Sequence, residues 1–125
     1  MSINRVEISG RLPRDPDLQA LTPSGTMLCK FTLAVRDAHW TPEKGEHVLT
    51  HWISVQAWGE LGESVAERYR RGDELHVVGQ LVQEALPAKG DKKPETKTRV
   101  RALVVSGVRK GRGEAAVDPD AEPRF

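Results

Sequence analysis

Apolar and polar residues alternate along most of the chain. In 3–12, Val6 and Ile8 fall on one side and Arg5, Glu7 and Ser9 on the other, the period of two expected of a half-buried strand. Gly10 within it suggests a bulge or bend. Pro and Gly residues between 13 and 25 predict a loop. Then Met27, Cys29, Phe31, Leu33 and Val35 alternate with Leu28, Lys30, Thr32, Ala34 and Arg36, a second strand. Turn residues from Thr41 to Gly45 lead into VLTHWISVQAW (48–58), whose branched and aromatic side chains suit a third. Between Gly59 and Arg71 the period lengthens: Leu61, Val65 and Tyr69 recur every four positions on one helical face, and Gly72 predicts the helix stop. Alternation returns with Leu75, Val77, Gly79 and Leu81 as a fourth strand, and with Val100, Ala102, Val104, Ser106 and Val108 as a fifth. Three strands, one helix and two strands is the element order of an all-β OB-fold, a five-stranded Greek-key barrel with one helix between strands 3 and 4. A doubly wound fold would need strands and helices in regular alternation, and only one helix is predicted.

Composition narrows the setting. The 125 residues suit one domain, of which 1–110 form the predicted OB-fold and 111–125 a short flexible acidic tail. The overall charge of +1 points to no partner, but its distribution does: 1–110 carries 17 basic and 14 acidic residues, while Glu114, Asp118, Asp120 and Glu122 outweigh Arg112 and Arg124 in the tail. Cys29 is the single cysteine, so neither an internal disulfide nor a cysteine metal framework is available. Met1 to Arg5 holds no apolar signal core, and no apolar run approaches the roughly 18 residues of a membrane span, so a cytoplasmic, nucleoid-associated protein without membrane contact is expected.

Candidate chemistry gathers on one face of the predicted sheet. Trp52, Ser54, Gln56 and Trp58 are separated by even steps, opposite Ile53, Val55 and Ala57. The aliphatic side belongs in the core, which turns two large rings toward the polar side, where a purely structural protein gains little from them. Continued in register, the second strand puts Lys30, Thr32, Ala34, Arg36, Ala38 and Trp40 on one face. Aromatic platforms among cations fit a flexible single strand of nucleic acid, since every base has a π-face and every linkage a charge. Lys89, Lys92, Lys93, Lys97, Arg99 and Arg101 crowd the stretch from 89 to 101 against Asp91 and Glu95, a candidate phosphate-guiding loop, and Arg5 lies on the polar side of the first strand. The competing reading is that the tryptophans cover an oligomer interface or a barrel end.

Catalytic readings find no support. His39, His47, His51 and His76 have no acid at a recognised spacing; His47 and His51 are four apart, but in a strand and with no Glu after His47, so the zinc-helix motif is missing. Neither a phosphate-binding glycine loop nor a nucleophile elbow occurs. A non-enzymatic protein without cofactor or metal is expected.

The stretches NRVEISGRLPRDPDL (4–18), FTLAVRDAHW (31–40), HWISVQAWGELGESVAERYRRGDELHVVGQL (51–81) and TRVRALVVSGV (98–108) resemble the bacterial single-stranded DNA-binding protein family, from about Ile3 to Arg109. The resemblance implies a homotetramer of OB-fold protomers that binds and protects single-stranded DNA in replication, recombination and repair, with Trp40, Trp52 and Trp58 at base-stacking positions. The family carries a further aromatic after the fourth strand, where this chain reads Val82-Gln83-Glu84-Ala85-Leu86, and a longer tail with an acidic tip that recruits replication or repair proteins, where this chain ends Pro123-Arg124-Phe125. TPSGTMLCKFTL (22–33) also resembles primosomal replication proteins, OB-fold dimers with fewer surface aromatics. A protein-interaction OB module without nucleic acid is the third reading.

Overall fold

A computed structural model describes residues 2–21, 23–88, 90–91 and 93–111. Lys89, Lys92 and the expected tail beyond Gly111 lie outside these residues. Six strands and one helix follow in the order β1 (Val6–Arg11), β2 (Asp17–Leu21), β3 (Thr26–Thr41), β4 (Gly45–Trp58), α1 (Gly59–Arg68), β5 (Glu74–Leu86) and β6 (Glu95–Arg109). They form one sheet in the order β1-β5-β6-β4-β3-β2, and pairing of Arg11 with Ala34 joins β1 to β3 and closes it. Of these pairings, only that of β4 with β6 is parallel. The expected OB-fold, with its helix after the third of the five barrel strands, is the fold observed.

Each expected strand becomes a real one because its apolar side meets a common core. Leu33, Val55, Leu75, Val77 and Val100 turn inward from four strands, Cys29 and Ala57 fill the end nearest α1, and Val65 of the helix plugs that end. Close packing of such side chains is what makes the barrel stable. Gly10 was expected to mark a bulge or bend. The β1–β5 register is regular through it; what requires glycine is the barrel closure, since a Cβ there would stand 2.6 Å from the Ala34 carbonyl oxygen.

Four further expectations are corrected. The supposed loop of 13–25 contains β2, an outer strand that pairs Leu18 with Cys29 and Ala20 with Met27. α1 ends at Arg68, where Tyr69 turns extended and donates its N–H to the Val65 carbonyl; Gly72, with φ at +94°, serves instead to bring its N–H to Leu12. The fifth predicted strand changes phase: Val78 pairs with Val104 but Gly79 with Ala102, so the bulge at Leu103 turns Val104 outward and lets Val105 pack on the core. Finally, Leu81 is half exposed because β5 has by then run past the barrel. Both β3–β4 and β5–β6 continue beyond the barrel wall as two-stranded arms.

Asp73 ties the start of β5 to the end of β6, at the end of this hairpin away from the second arm. Its buried carboxylate accepts hydrogen bonds from the N–H groups of Arg70 (2.9 Å) and Gly111 (2.8 Å) and from the Lys110 ammonium (2.9 Å). Burial by itself would raise its pKa, but these donors and the Lys110 charge outweigh it and hold the carboxyl below its ordinary value.

Candidate nucleic-acid interface

Register turns scattered side chains into a ribbon. β3 and β4 pair in unbroken register from Leu28–Trp58 to Thr41–Gly45, and residues directly opposite share a face. Trp58 is opposite Leu28, Trp52 opposite Ala34, and Trp40 lies on β3 itself, opposite Glu46. Counted along β3, the rings therefore stand at positions 28, 34 and 40, six residues or about 20 Å apart at roughly 3.3 Å per residue. Lys30 and Arg36 each lie two residues beyond a ring in the same direction, so ring and cation alternate along the ribbon. Trp40 is 67% exposed and Trp58 39%, whereas Trp52 is half buried. The inner side of β4 carries Ile53, Val55 and Ala57, which is why the rings have nowhere else to point.

Near Trp58 the ribbon deepens into a groove of about 650 Å³. Leu21 of β2, Leu28 and Lys30 of β3, Gln56 and Trp58 of β4, Val82, Gln83 and Glu84 of β5 and Arg101 of β6 line it. The size is that of a site for a small organic group, roughly 300–1,000 Å³. Sequence reasoning placed Gln56 on this face without marking it, and missed the contribution of Leu21 and Val82, because the groove exists only where five separate strands meet.

The basic stretch behaves differently. Lys97, Arg99 and Arg101 were expected in a loop; they lie in β6, and Lys93 is exposed ahead of it. Lys97 pairs across the ladder with Glu84, whose carboxylate is also 3.3 Å from the Arg99 guanidinium, and Arg101 donates to Gln80 at 2.8 Å. Arg5 precedes β1, which pairs with β5 and, through Arg11 and Ala34, closes on β3.

Histidines occupy the reverse side of the first arm. His39 and His47 face each other edge to face at 5.4 Å, and His51 approaches Asp37 at 3.4 Å. His76 pairs with Glu7 at 2.9 Å on β5 and β1. Among the described residues, no three metal-binding side chains converge. Burial, with Asp17 adding to it, pushes the Cys29 thiol up to about 11, so it stays protonated and inert near neutral pH.

A closed barrel of this topology, with rings and cations alternating on its β3–β4 face, defines an OB-fold protein of the oligonucleotide-binding type. The model of the Single-strand binding protein family matches residues 3–107, and the chain belongs to that family. It is 36% identical over 114 residues to the "Single-stranded DNA-binding protein" of Thermus thermophilus, covering 91% of this chain and 41% of that one. With the "Single-stranded DNA-binding protein 1" of Synechocystis it shares 28% over 120 residues, 94% of this chain and 95% of the relative. A crystal structure of a deletion mutant of the single-stranded DNA binding protein from Thermus aquaticus superimposes with a TM-score of 0.75 at 27% identity, over 89% of this chain and 52% of that one. This chain thus spans about two fifths of the Thermus relative and nearly the whole Synechocystis one. Among the described residues, no helix is long and apolar enough to cross a membrane.

Proposed function

We propose that the chain binds single-stranded DNA with little regard to sequence, stacking bases on Trp40, Trp52 and Trp58 and holding the intervening phosphates with Lys30 and Arg36. The observation that carries this reading is the six-residue alternation of ring and cation along the β3–β4 ribbon. A single strand can place a base against each ring and its linkage against the neighbouring cation; a duplex keeps its bases stacked inside and offers the rings nothing. Binding of this kind protects exposed strands during replication, recombination and repair, and it needs no catalytic group. Quenching of tryptophan fluorescence on titration with oligo-dT, and none with a matched duplex, is the expected result; equal quenching by both sinks the reading.

Self-assembly belongs to the same proposal. From Val6 to Gly10, β1 pairs with β5 on one edge and with nothing described on the other, and an unpaired edge is a template for a further strand. Leu103 and Val104 are more than half exposed on neighbouring β6. A homotetramer, the state implied by the family resemblance, covers both. Light scattering at micromolar concentration tests it, and a monomer there contradicts it.

A further inference from the structure

Gln56 stands out on the ribbon as a buried polar side chain without a polar partner. It is 8% exposed, and among the described residues its amide makes no hydrogen bond. Leaving such a group unpaired in a shielded site costs free energy that a ligand can recover. The amide borders the groove described above, flanked in register by Lys30 on β3 and Arg101 on β6, with Trp58 two residues further along the same face. Two residues of strand are about 7 Å, so a base lying on the Trp58 ring brings its edge toward Gln56. Leu21 and Leu28 supply the apolar surroundings of a base. The carboxamide presents one acceptor and one donor side by side, the complement of the adjacent donor and acceptor on a nucleobase edge.

We propose that Gln56 hydrogen-bonds the edge of one nucleobase held at Trp58, so that binding otherwise set by stacking and charge acquires an edge requirement at this one position. The inference rests on the single-strand reading above. It assigns to Gln56 a contact that neither ring nor cation can make: stacking tolerates any flat group, whereas a buried amide discriminates against one that cannot pair with it.

The test is a double cycle with two oligomers of equal length, oligo-dT and one in which every thymine is replaced by 2,4-difluorotoluene, which keeps the shape of the base but hardly hydrogen-bonds. Each is titrated against the unaltered protein and Gln56→Met, which keeps side-chain length and removes the amide. Gln56→Met is expected to weaken oligo-dT binding by about three- to tenfold, the worth of one or two neutral hydrogen bonds, and to leave the difluorotoluene oligomer within about twofold. Its thermal stability is expected to hold or rise, because an unpartnered polar group has been removed from a buried place. Equal losses for both oligomers, with or without a fall in stability, would show that Gln56 acts by packing and overturn the proposal, as would no loss for either. If the unaltered protein binds neither oligomer, the single-strand reading itself fails, an outcome distinct from a Gln56 that has no effect on a protein that binds.

Discussion

The two arms that leave the barrel are built on the same backbone plan and differ in chemistry. In the β3–β4 arm Arg36 faces Thr50, and Trp40 continues the row of rings. In the β5–β6 arm Lys97 faces Glu84, Arg99 is ion-paired to that same carboxylate, and the stretch from Val82 to Leu86, where the family's further aromatic was expected, holds none. Counting basic residues makes the second arm look the better phosphate guide. Ion pairing narrows that gap, since Arg99, held by Glu84, releases fewer counterions when a phosphate arrives than a cation without an acid in contact. What sets the first arm apart is its row of rings beside cations, which the second arm lacks.

The largest effect should appear where the arms have no say. Leu33 lies fully buried in the barrel from which both arms emerge, and Leu33→Ala should cost about 2–5 kcal/mol of stability in urea unfolding, while oligo-dT affinity per folded protomer stays within error. A loss under about 1 kcal/mol would mean that the core is not where the structure puts it. Next comes the contrast between arms. Trp52→Ala should weaken oligo-dT binding by about 1–3 kcal/mol, without unfolding, because Ile53 and Val55 keep their places on the other side of β4. Lys97→Gln should cost well under about 1 kcal/mol, and an equal loss would erase the distinction between the arms.

The contrast can also be narrowed by design. Leu86→Trp gives the second arm a ring and should tighten oligo-dT binding by about 1 kcal/mol, the low end for one base on one platform. Glu84→Gln leaves Arg99 without its acid and should steepen the log–log dependence of affinity on salt by about 0.7, one extra phosphate neutralised. An unchanged slope would show that Arg99 does not reach the strand.

The smallest effect is confined to acid. Because the folded Asp73 carboxyl is held below its ordinary value, its contribution is complete above that ordinary value and disappears as pH falls through the lower, folded one. Protection of the Gly111 amide against exchange, relative to its intrinsic rate, should fall over that acid range, with the β3–β4 arm unaffected, and Asp73→Asn should lack that protection already at neutral pH. No change in Asp73→Asn would mean that Lys110 and the turn hold the end of β6 without the carboxylate.

Legibility in the sequence follows burial. Residues 27–35 and 52–58 alternate because one side of each strand is in the core, and the face that carries the rings could be read as whatever opposed that side. β2 was hidden because its apolar residues, Leu18 and Ala20, lie on an outer strand between prolines and bury little. The ends of both arms were hidden too: 82–86 and 95–99 lie beyond the barrel with neither side in the core, so no alternation is imposed on them.

By itself the sequence determined the order of the five barrel strands and the helix, the choice of Trp40, Trp52 and Trp58 as rings opposite the core side, and the buried side of β1, β3, β4 and β5, since these follow from the period of apolar residues within one segment. Tertiary structure decided the rest. The even spacing of the rings joins Trp40 of β3 to Trp52 and Trp58 of β4, and depends on a register set by the turn between them. The ion pair of Arg99 depends on the pairing of β6 with β5, and the buried amide of Gln56 on five strands converging around one groove. Each of these is a relation between residues distant in the chain, and only the closure of the barrel brings them within reach of one another.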